Sequence, residues 1–365
     1  MLQLHQLCKG FDHPVIDRMD LTIETGEFFV VVGPSGIGKT TLLRCVAGLE
    51  QPDAGSVVID GQAMNGVPPY RRPVAMTFES YALYPHLTVF ENIASPLRAR
   101  KMNAAAIKEK VEAVARLLRI DPLLDRRPGE ISGGQKQRTA LGRTLVAEPK
   151  VFLLDEPISH LDAKIRHELR QQFHTLEELR RTATLYVTHD YAEALSLGDR
   201  IGVMGDGGLV QIGTPHDVFE RPSSIFVARH LGQPSINEIG GSLMAEQDRL
   251  EVRTSGGAFA LPVADAHRAA LDNRQGVHLG IRPQHIRILE DGEALPDGHH
   301  ELAGTAEMFE ALGATGVLLF DIGEDKLTCL TAIDRDFEKD QPLRVAFDPR
   351  HFLYFCPETG RSLLH

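Results

Sequence analysis

The stretch Gly33–Thr41 reads GPSGIGKTT. It follows the apolar run Phe28–Val32 (FFVVV) and precedes Leu42–Ala47 (LLRCVA), a segment that favours helix. The spacing G-x-x-x-x-G-K-T between a strand and a helix is typical of a loop whose backbone N–H groups surround a polyphosphate. Glycines let the backbone come close to the phosphates and adopt positive φ angles. The pattern therefore predicts a nucleotide-phosphate site.

Two side chains of this loop have predicted chemical functions. Lys39 can reach the β- and γ-phosphates, and the Thr40 hydroxyl can ligate Mg²⁺. The predicted phosphate-binding residues of the loop are Gly33, Pro34, Ser35, Gly36, Gly38, Lys39, Thr40 and Thr41.

A second apolar run, Val151–Leu154, ends in two adjacent acids, Asp155 and Glu156. Consecutive strand residues point to opposite sides, so the two carboxylates can have different functions. We predict that Asp155 binds Mg²⁺, directly or through water, and that Glu156 orients or deprotonates an attacking water. Taken alone, a solvated acidic strand end is an equally good interpretation. Together with the phosphate loop, the catalytic one is favoured.

Composition limits the classes of partner. At about 150 residues per domain, a chain of 365 residues suggests two or three domains. Hydrophobic residues make up 42% and charged residues 24%, as in soluble globular proteins. The formal net charge of −11 argues against a nucleic-acid partner, because nucleic-acid binders usually carry a basic surface.

Cysteine usage and hydropathy bear on the compartment. The cysteines are scattered without metal-binding spacing, which is typical of buried thiols in a reducing environment. The sequence MLQLHQLCKG shows no secretory pattern, and no segment approaches the ~20 apolar residues of a spanning helix. We expect a cytoplasmic protein that reaches a membrane only through a partner.

Secondary-structure patterns change along the chain. Short β-rich runs continue to about Phe78, a helical pattern covers 88–147, and strands alternate with helices to about Gly232. This alternation predicts an α/β fold with a mostly parallel sheet covered by helices. Beyond Gly232, short alternating segments between Gly, Pro and Asp clusters predict an all-β barrel. The expected domains are therefore 1–232, with a helical subdomain at about 88–147, and 233–365.

Individual elements can also be predicted. The expected strands include Val57–Asp60, Val74–Phe78, Val151–Leu154, Thr184–Val187, Arg200–Met204, Val277–Ile281, Ile286–Leu289, Gly316–Asp321 and Leu343–Phe347. The expected helices include Ala163–Leu179 and Tyr191–Leu197.

The segment Ile131–Arg138 reads ISGGQKQR, and here the chain resembles the ATP-binding cassette (ABC) ATPases, whose signature is LSGGQ. A hydroxyl and two glycines that open a helix can present N–H groups to an anion. The resemblance implies that Ser132, Gly133, Gly134 and Gln135 complete the site of a second subunit, with two ATP molecules held in a dimer. It also implies a P-loop NTPase fold, with a RecA-like core, an ABC β-subdomain and a helical subdomain.

Further family landmarks follow in order. Ser159–Asp162 (SHLD) resembles the loop that crosses the dimer interface, which implies that Asp162 lies near ATP. Thr188–Asp190 (THD) carries the switch histidine, and His189 is implied to hydrogen-bond the γ-phosphate and the attacking water. Phe11 lies where the family has an aromatic residue that stacks on adenine. A core phenylalanine is the alternative interpretation.

The runs Ser80–Val89 (SYALYPHLTV) and Leu279–Pro283 (LGIRP) are similar to carbohydrate-importer ATPases of the maltose and glycerol-phosphate types. The resemblance covers most of the chain and implies a C-terminal OB-type barrel that regulates and dimerises the subunit. It implies a second ATPase subunit, identical or related, and two membrane-spanning permease subunits docked on the helical insert. A periplasmic or extracellular solute-binding protein would act indirectly. The implied location is peripheral, on the cytoplasmic side of the membrane.

One position departs from the family pattern, because Glu79 stands where the family has glutamine. In the family this glutamine touches Mg²⁺ and the attacking water, so the resemblance implies that Glu79 contacts the metal and the nucleotide, where a carboxylate is a better ligand for Mg²⁺. It also adds negative charge near the γ-phosphate, and two charges about 4 Å apart repel by about 4 kcal/mol at an effective dielectric of about 20. Three interpretations stay open: Glu79 restrains hydrolysis until solute arrives, the subunit pairs with a different ATPase that carries the glutamine, or the substitution is merely tolerated.

These residues predict the ATP-hydrolysing motor of an ABC importer for a sugar, polyol or sugar-phosphate-like solute. The predicted catalytic residues are Lys39, Glu156 and His189, and the predicted metal ligands are Thr40, Glu79 and Asp155. An importer of polyamine, sulfate or metal ion is the alternative within transport. The single phosphate loop and the negative net charge argue against a cassette ATPase that acts on DNA or ribosomes. A regulator whose barrel binds a protein or small ligand could coexist with transport.

Overall fold

In a computed structural model the chain forms two compact units, Met1–Asp217 and Val218–His365. The structure describes residues 1–246, 249–272, 274–313, 315–332 and 335–364. None of the helices in these ranges combines the length and apolar character that crossing a membrane requires.

The first unit contains an antiparallel sheet and a mostly parallel sheet. Its strands are β1 (Leu2–Gly10), β2 (Pro14–Ile23), β3 (Phe28–Val32), β4 (Ala54–Ile59), β5 (Gln62–Ala63), β6 (Val74–Thr77), β7 (Val151–Asp155), β8 (Ala183–Thr188), β9 (Arg200–Gly205) and β10 (Gly208–Gly213). The strand orders are β2-β1-β4-β5 and β10-β9-β3-β8-β7-β6. In the second sheet only β10 is antiparallel to its neighbour, which confirms the predicted α/β core. Since parallel strands end at the same edge, the loops after β3, β6, β7 and β8 converge there.

The phosphate loop lies between a buried strand and a fixed helix. Every residue of β3 is buried, as in a central strand covered on both faces. Helix α1 (Lys39–Ala47) follows the loop and buries its leucines in the same core. Arg72 is buried and donates from Nη1 to the carbonyl oxygens of Cys45 (3.0 Å) and Val46 (2.8 Å), at the C-terminus of α1. The loop is thus held at both ends.

Three helices lie between β6 and β7, and each begins at a side-chain cap. They are α2 (Val89–Ala99), α3 (Ala104–Leu117) and α4 (Gly133–Leu145). The capping side chains of Thr88, Asn103 and Ser132 each accept a hydrogen bond from a backbone N–H in the first turn. These helices lie within the segment 88–147 that the sequence marks as helical.

The predicted single helix Ala163–Leu179 is wrong, because the structure divides it into α5 (Ala163–Phe173) and α6 (Glu177–Arg180). Between them the Thr175 hydroxyl donates to the carbonyl oxygen of Gln172 at 3.0 Å, and this bond closes the end of α5. The next helices along the chain are α7 (Tyr191–Leu197), at the predicted position, and α8 (Pro215–Glu220), within which the second unit begins.

The second unit consists mainly of two five-stranded antiparallel sheets with the orders β13-β12-β11-β14-β20 and β15-β19-β16-β17-β18. Its strands are β11 (Asn237–Glu246), β12 (Arg249–Thr254), β13 (Ala260–Pro262), β14 (Gly276–Ile281), β15 (Ile286–Leu289), β16 (His300–Leu312), β17 (Thr315–Ile322), β18 (Asp325–Ala332), β19 (Pro342–Phe347) and β20 (Leu353–Phe355). Side chains from both sheets share one hydrophobic core. This curled antiparallel architecture confirms the predicted OB-type fold. Among the described residues of this unit the sheets are accompanied by α9 (Ile225–His230) and by α10 (Asp265–Leu271), which was not predicted.

The second unit begins earlier in the chain than the boundary predicted after residue 232. Buried Arg282 donates hydrogen bonds to the carbonyl oxygens of Phe219 and Leu231, and its guanidinium carbon lies 3.6 Å from the centre of the Phe219 ring. These contacts attach the segment containing α9 to the β-rich part of the same unit.

Candidate functional site

The loop between β3 and α1 has a backbone that favours glycine, most clearly at Gly33 and Gly38. At Gly38 φ is 112°, and a Cβ there would lie 2.4 Å from Val15 Cγ1. A Cβ at Gly33 would lie 2.6 Å from the carbonyl oxygen of Met204. Gly38 is also the N-cap of α1 and has no side chain to occupy the first N–H groups of the helix. Those groups can therefore bind an anion.

Lys39 is buried at the base of this loop, with 6% of its surface exposed. Its Nζ donates to the carbonyl oxygens of Gly33 and Pro34, each at 2.8 Å. Burial lowers the pKa of Lys39, and nearby carboxylates, Glu156 foremost, oppose that shift. A phosphate would add further negative charge beside the ammonium and favour its charged form.

Thr40 and Asp155 bring a hydroxyl and a carboxylate together behind the loop. Thr40 Oγ1 donates to Asp155 Oδ1 at 3.2 Å. Asp155 is buried, and this burial raises its pKa to about 6, with the negative charges of Glu156 and Glu79 acting in the same direction. A divalent cation would relieve this cost, and hydroxyl and carboxylate oxygens are ligands that Mg²⁺ prefers. The residues therefore fit the predicted magnesium site.

Glu156 and His189 lie side by side at the ends of two neighbouring strands, β7 and β8. His189 Nδ1 is 2.9 Å from Glu156 Oε1. With one ring nitrogen engaged by the carboxylate, the other can bond a different group. This arrangement of a carboxylate and an imidazole can orient a water molecule and accept its proton.

One cleft is lined by all three predicted catalytic side chains, Lys39, Glu156 and His189. Its lining residues are Ser35, Gly36, Gly38, Lys39, Thr40, Thr41, Glu79, Glu156, His160 and His189. Only His160 in this set is absent from the residues predicted as the site. Its position inside the SHLD loop, between Ser159 and Asp162, is the sequence feature that could have identified it. The His160 ring packs edge-on against Tyr81, with 6.1 Å between ring centres.

Other predicted site residues lie outside the cleft lining. They are Phe11, Gly33, Pro34, Ser132, Gly133, Gly134, Gln135, Asp155 and Asp162. Three of them are hydrogen-bonded to residues that line the cleft. Lys39 donates to Gly33 and Pro34, and Thr40 donates to Asp155. Asp162 caps α5, since its Oδ1 accepts the N–H of Ile165 at 3.0 Å.

The signature residues form the exposed start of α4. Ser132 Oγ accepts the Gln135 N–H at 3.3 Å, and Gln135 Oε1 accepts the Ser132 N–H at 2.8 Å. This capping box fixes both side chains. Ser132 and Gly133 are exposed, so the positive end of the helix faces solvent and can receive an anion.

Phe11 is an exposed aromatic residue rather than a core residue, with 61% of its surface accessible. Lys9 Nζ lies 5.1 Å from the ring centre and is held by Asp53 Oδ1 at 3.2 Å. Asp53 Oδ2 also accepts the Gly10 N–H at 2.7 Å. The ring is thus available to stack on a base.

Two family models match the chain: ABC transporter over residues 16–159 and TOBE domain over residues 279–355. The sn-glycerol-3-phosphate import ATP-binding protein UgpC of Salmonella typhimurium is 44% identical over 364 residues, which cover 99% of each chain. The sulfoquinovosyl glycerol transport ATP-binding protein SmoE of Agrobacterium fabrum is 39% identical over 349 residues, covering 96% of this chain and 95% of that protein.

Two solved structures that are similar to this chain are also ABC transporter cassettes. The dimeric structure of the bacterial ABC transporter cassette MJ0796 matches with a TM-score of 0.55 and 28% identity, covering 59% of this chain and 99% of that one. A dimeric post-hydrolysis state of the same cassette, bound to ADP and Pi, matches with a TM-score of 0.54. The motifs, the fold and the similarity to import proteins over nearly the full length all indicate the same family. The chain belongs to the ABC transporter family, as an ATP-binding and ATP-hydrolysing subunit of an importer.

Proposed function

We propose that the chain hydrolyses ATP at a composite dimer site and thereby drives uptake of a sugar, polyol or sugar-phosphate-like solute. The observation that carries this proposal is the cleft in which Lys39, Glu156 and His189 meet beside the open N-terminus of α1. It combines a phosphate-binding loop with a paired base and imidazole.

The hydrolytic step follows from the positions of these side chains. The loop N–H groups and Lys39 bind the β- and γ-phosphates, and Lys39 offsets charge that develops during transfer. Glu156 accepts a proton from water as the water oxygen bonds to the γ-phosphorus and the bond to the β-phosphate oxygen breaks. His189 is oriented by Glu156 through Nδ1 and presents Nε2 to the γ-phosphate, to which it donates when the ring is protonated on both nitrogens.

Thr40, Asp155 and Glu79 are the proposed ligands for Mg²⁺. When bound, the ion supplies charge neutralisation at the phosphate oxygens. The hydrogen-bonded Thr40–Asp155 pair and the buried carboxylate support this assignment.

The second half of the ATP site is proposed to come from another ATPase subunit, identical or related. Ser132–Gln135 would bind the partner's ATP through the positive end of α4, and Asp162 would lie near the interface. Phe11 would stack on adenine. The exposed start of α4 and the dimeric cassette structures support this arrangement.

The importer context supplies the other partners. We assign two membrane-spanning permease subunits to the helices α2–α4 and a solute-binding protein that acts through them, which puts this chain at the cytoplasmic face of the membrane. The C-terminal domain, predicted from the sequence as 233–365 and contained in the second unit, would regulate and dimerise the subunit. Because relatives are named for transport of sn-glycerol-3-phosphate and sulfoquinovosyl glycerol, a glycerol derivative is the proposed solute.

The test is ATPase activity of the chain reconstituted with its permease and solute-binding protein. We expect sn-glycerol-3-phosphate to stimulate hydrolysis severalfold. Stimulation by an unrelated solute alone would overturn the solute class, and absence of hydrolysis with every solute would overturn the motor function.

Glu79 calls for a separate measurement in the same complex. If its carboxylate restrains hydrolysis until solute arrives, Glu79→Gln raises the solute-free rate and reduces the stimulation. An unchanged rate with unchanged stimulation contradicts that role. Co-purification addresses the alternative of a different ATPase partner, since recovery of a homodimer alone counts against it.

A further inference from the structure

Gln137 is the buried polar residue of α4 that lies closest in sequence to Ser132–Gln135, with 4% of its surface exposed. Its Nε2 donates to the carbonyl oxygen of Glu156 at 2.9 Å. Its Oε1 has no hydrogen-bond partner within the described part of the chain. A buried amide with one unpaired atom is unfavourable for stability, so packing alone is a poor explanation for glutamine at this position.

The backbone that Gln137 holds is itself unusual. Glu156 has φ of 43°, in the left-handed region that residues with a Cβ rarely adopt. Its N–H donates to Val187 O at 3.1 Å, and its carbonyl oxygen accepts from the Ser159 hydroxyl at 3.0 Å as well as from Gln137. The direction of the Glu156 side chain follows from this conformation. Holding the carbonyl oxygen therefore fixes where the carboxylate points.

We propose that Gln137 is a positioning residue for ATP hydrolysis: it keeps the Glu156 backbone in its left-handed conformation and the carboxylate beside His189. The inference rests on the proposed function, because it takes Glu156 as the base.

The first experiment measures steady-state ATPase of the full-length chain carrying Gln137→Met. Methionine has a similar length and removes both the donor and the unpaired Oε1. We expect kcat to fall about 10- to 100-fold, the range that misplacement of a catalytic group causes, with KM for ATP within about twofold. We expect the melting temperature to stay equal or rise.

Two variants control this result. Gln137→Glu keeps the shape but turns an acceptor toward the Glu156 carbonyl, so we expect the same fall in kcat. Thr144→Val removes a buried hydroxyl of the same helix, which donates to Ala140 O at 3.1 Å, and kcat should stay within about twofold. A Gln137→Met enzyme with kcat within twofold of wild type overturns the proposal. A wild-type chain without hydrolysis would instead overturn the proposed function.

The second experiment is a double-mutant comparison by single-turnover kinetics. If Gln137 acts only through Glu156, adding Gln137→Met to Glu156→Gln produces no further loss of rate. A full additional 10- to 100-fold loss contradicts a positioning role.

Discussion

Buried charged groups are destabilised in the nucleotide cleft of the first unit. In the turn between β19 and β20 of the second unit, a buried charge is stabilised. In the cleft, burial lowers the pKa of Lys39 and raises that of Asp155, so the fold disfavours both charged forms. In the second unit, Arg350 donates hydrogen bonds to buried Asp348, including one from Nε to Oδ1 at 2.9 Å. These bonds hold the pKa of Asp348 at about 2. The cleft leaves its charges to be stabilised by a ligand, whereas the turn stabilises its own charge.

Glu156→Gln tests the cleft side of this comparison most strongly. The amide keeps the shape of the side chain but cannot accept a proton, so we expect hydrolysis to fall about 10³-fold, within the range for loss of a general base. ATP binding should be retained, and the nucleotide should trap a closed dimer. Filter binding and size-exclusion chromatography with ATP measure both, and full turnover would contradict the base assignment.

Asp155→Asn separates function from stability at the same site. Removing a buried carboxylate charge should leave the free energy of unfolding, measured without nucleotide or metal, unchanged or higher by about 1 kcal/mol. Hydrolysis should fall at least about 100-fold, because the proposed metal ligand is lost. A variant that is both inactive and clearly less stable in urea would break the proposed contrast between the cleft and the turn.

Arg282→Met is the matching change in the second unit. Burial lowers the pKa of Arg282 to about 10, yet its bonds to the carbonyl oxygens of Phe219 and Leu231 replace water. Methionine leaves both carbonyl oxygens without a partner, so we expect the free energy of unfolding to fall by about 3 kcal/mol. ATP affinity should stay within about twofold. Arg282→Lys serves as the control and should recover part of the loss.

Asp348→Asn has the smallest expected effect and a defined pH dependence. Because the folded-state pKa of Asp348, about 2, lies below its ordinary value of 3.8, the charged form contributes stability above about pH 4. We expect a loss of about 1 kcal/mol at pH 7, since Arg350 is exposed to solvent. This difference between wild type and variant should shrink as the pH falls from about 4 to about 2. Urea unfolding at several pH values tests this, and a constant difference would contradict it.

The elements that can be predicted well from sequence are those with a clear apolar pattern. The sequence predicts β7 at Val151–Leu154, and the strand occupies Val151–Asp155, while α7 occupies its predicted range. The break between α5 and α6 depends on single bonds such as that of Thr175, which leave no periodic trace. Helix α10 has no comparable pattern, because only Leu271 of its seven residues is buried.

The residues of the candidate site also differ in how well they can be predicted from the sequence. The phosphate-loop spacing and the acids after β7 identify most residues of the cleft from the sequence alone, because their functions depend on local sequence. Gln137 cannot be found this way. Its partner, Glu156, lies 19 residues further along the chain and meets it only when α4 packs beside the end of β7.

Arg72 affects the nucleotide site from the opposite end of α1. The aligned peptide dipoles of a helix act like about half a positive charge at the N-terminus and half a negative charge at the C-terminus. The guanidinium of Arg72 donates to the carbonyl oxygens of Cys45 and Val46 and offsets the negative pole. An anion at the phosphate loop is then repelled less by the far end of the helix. A residue about 14 Å away along the nine-residue helix thus contributes to the electrostatic potential that attracts ATP.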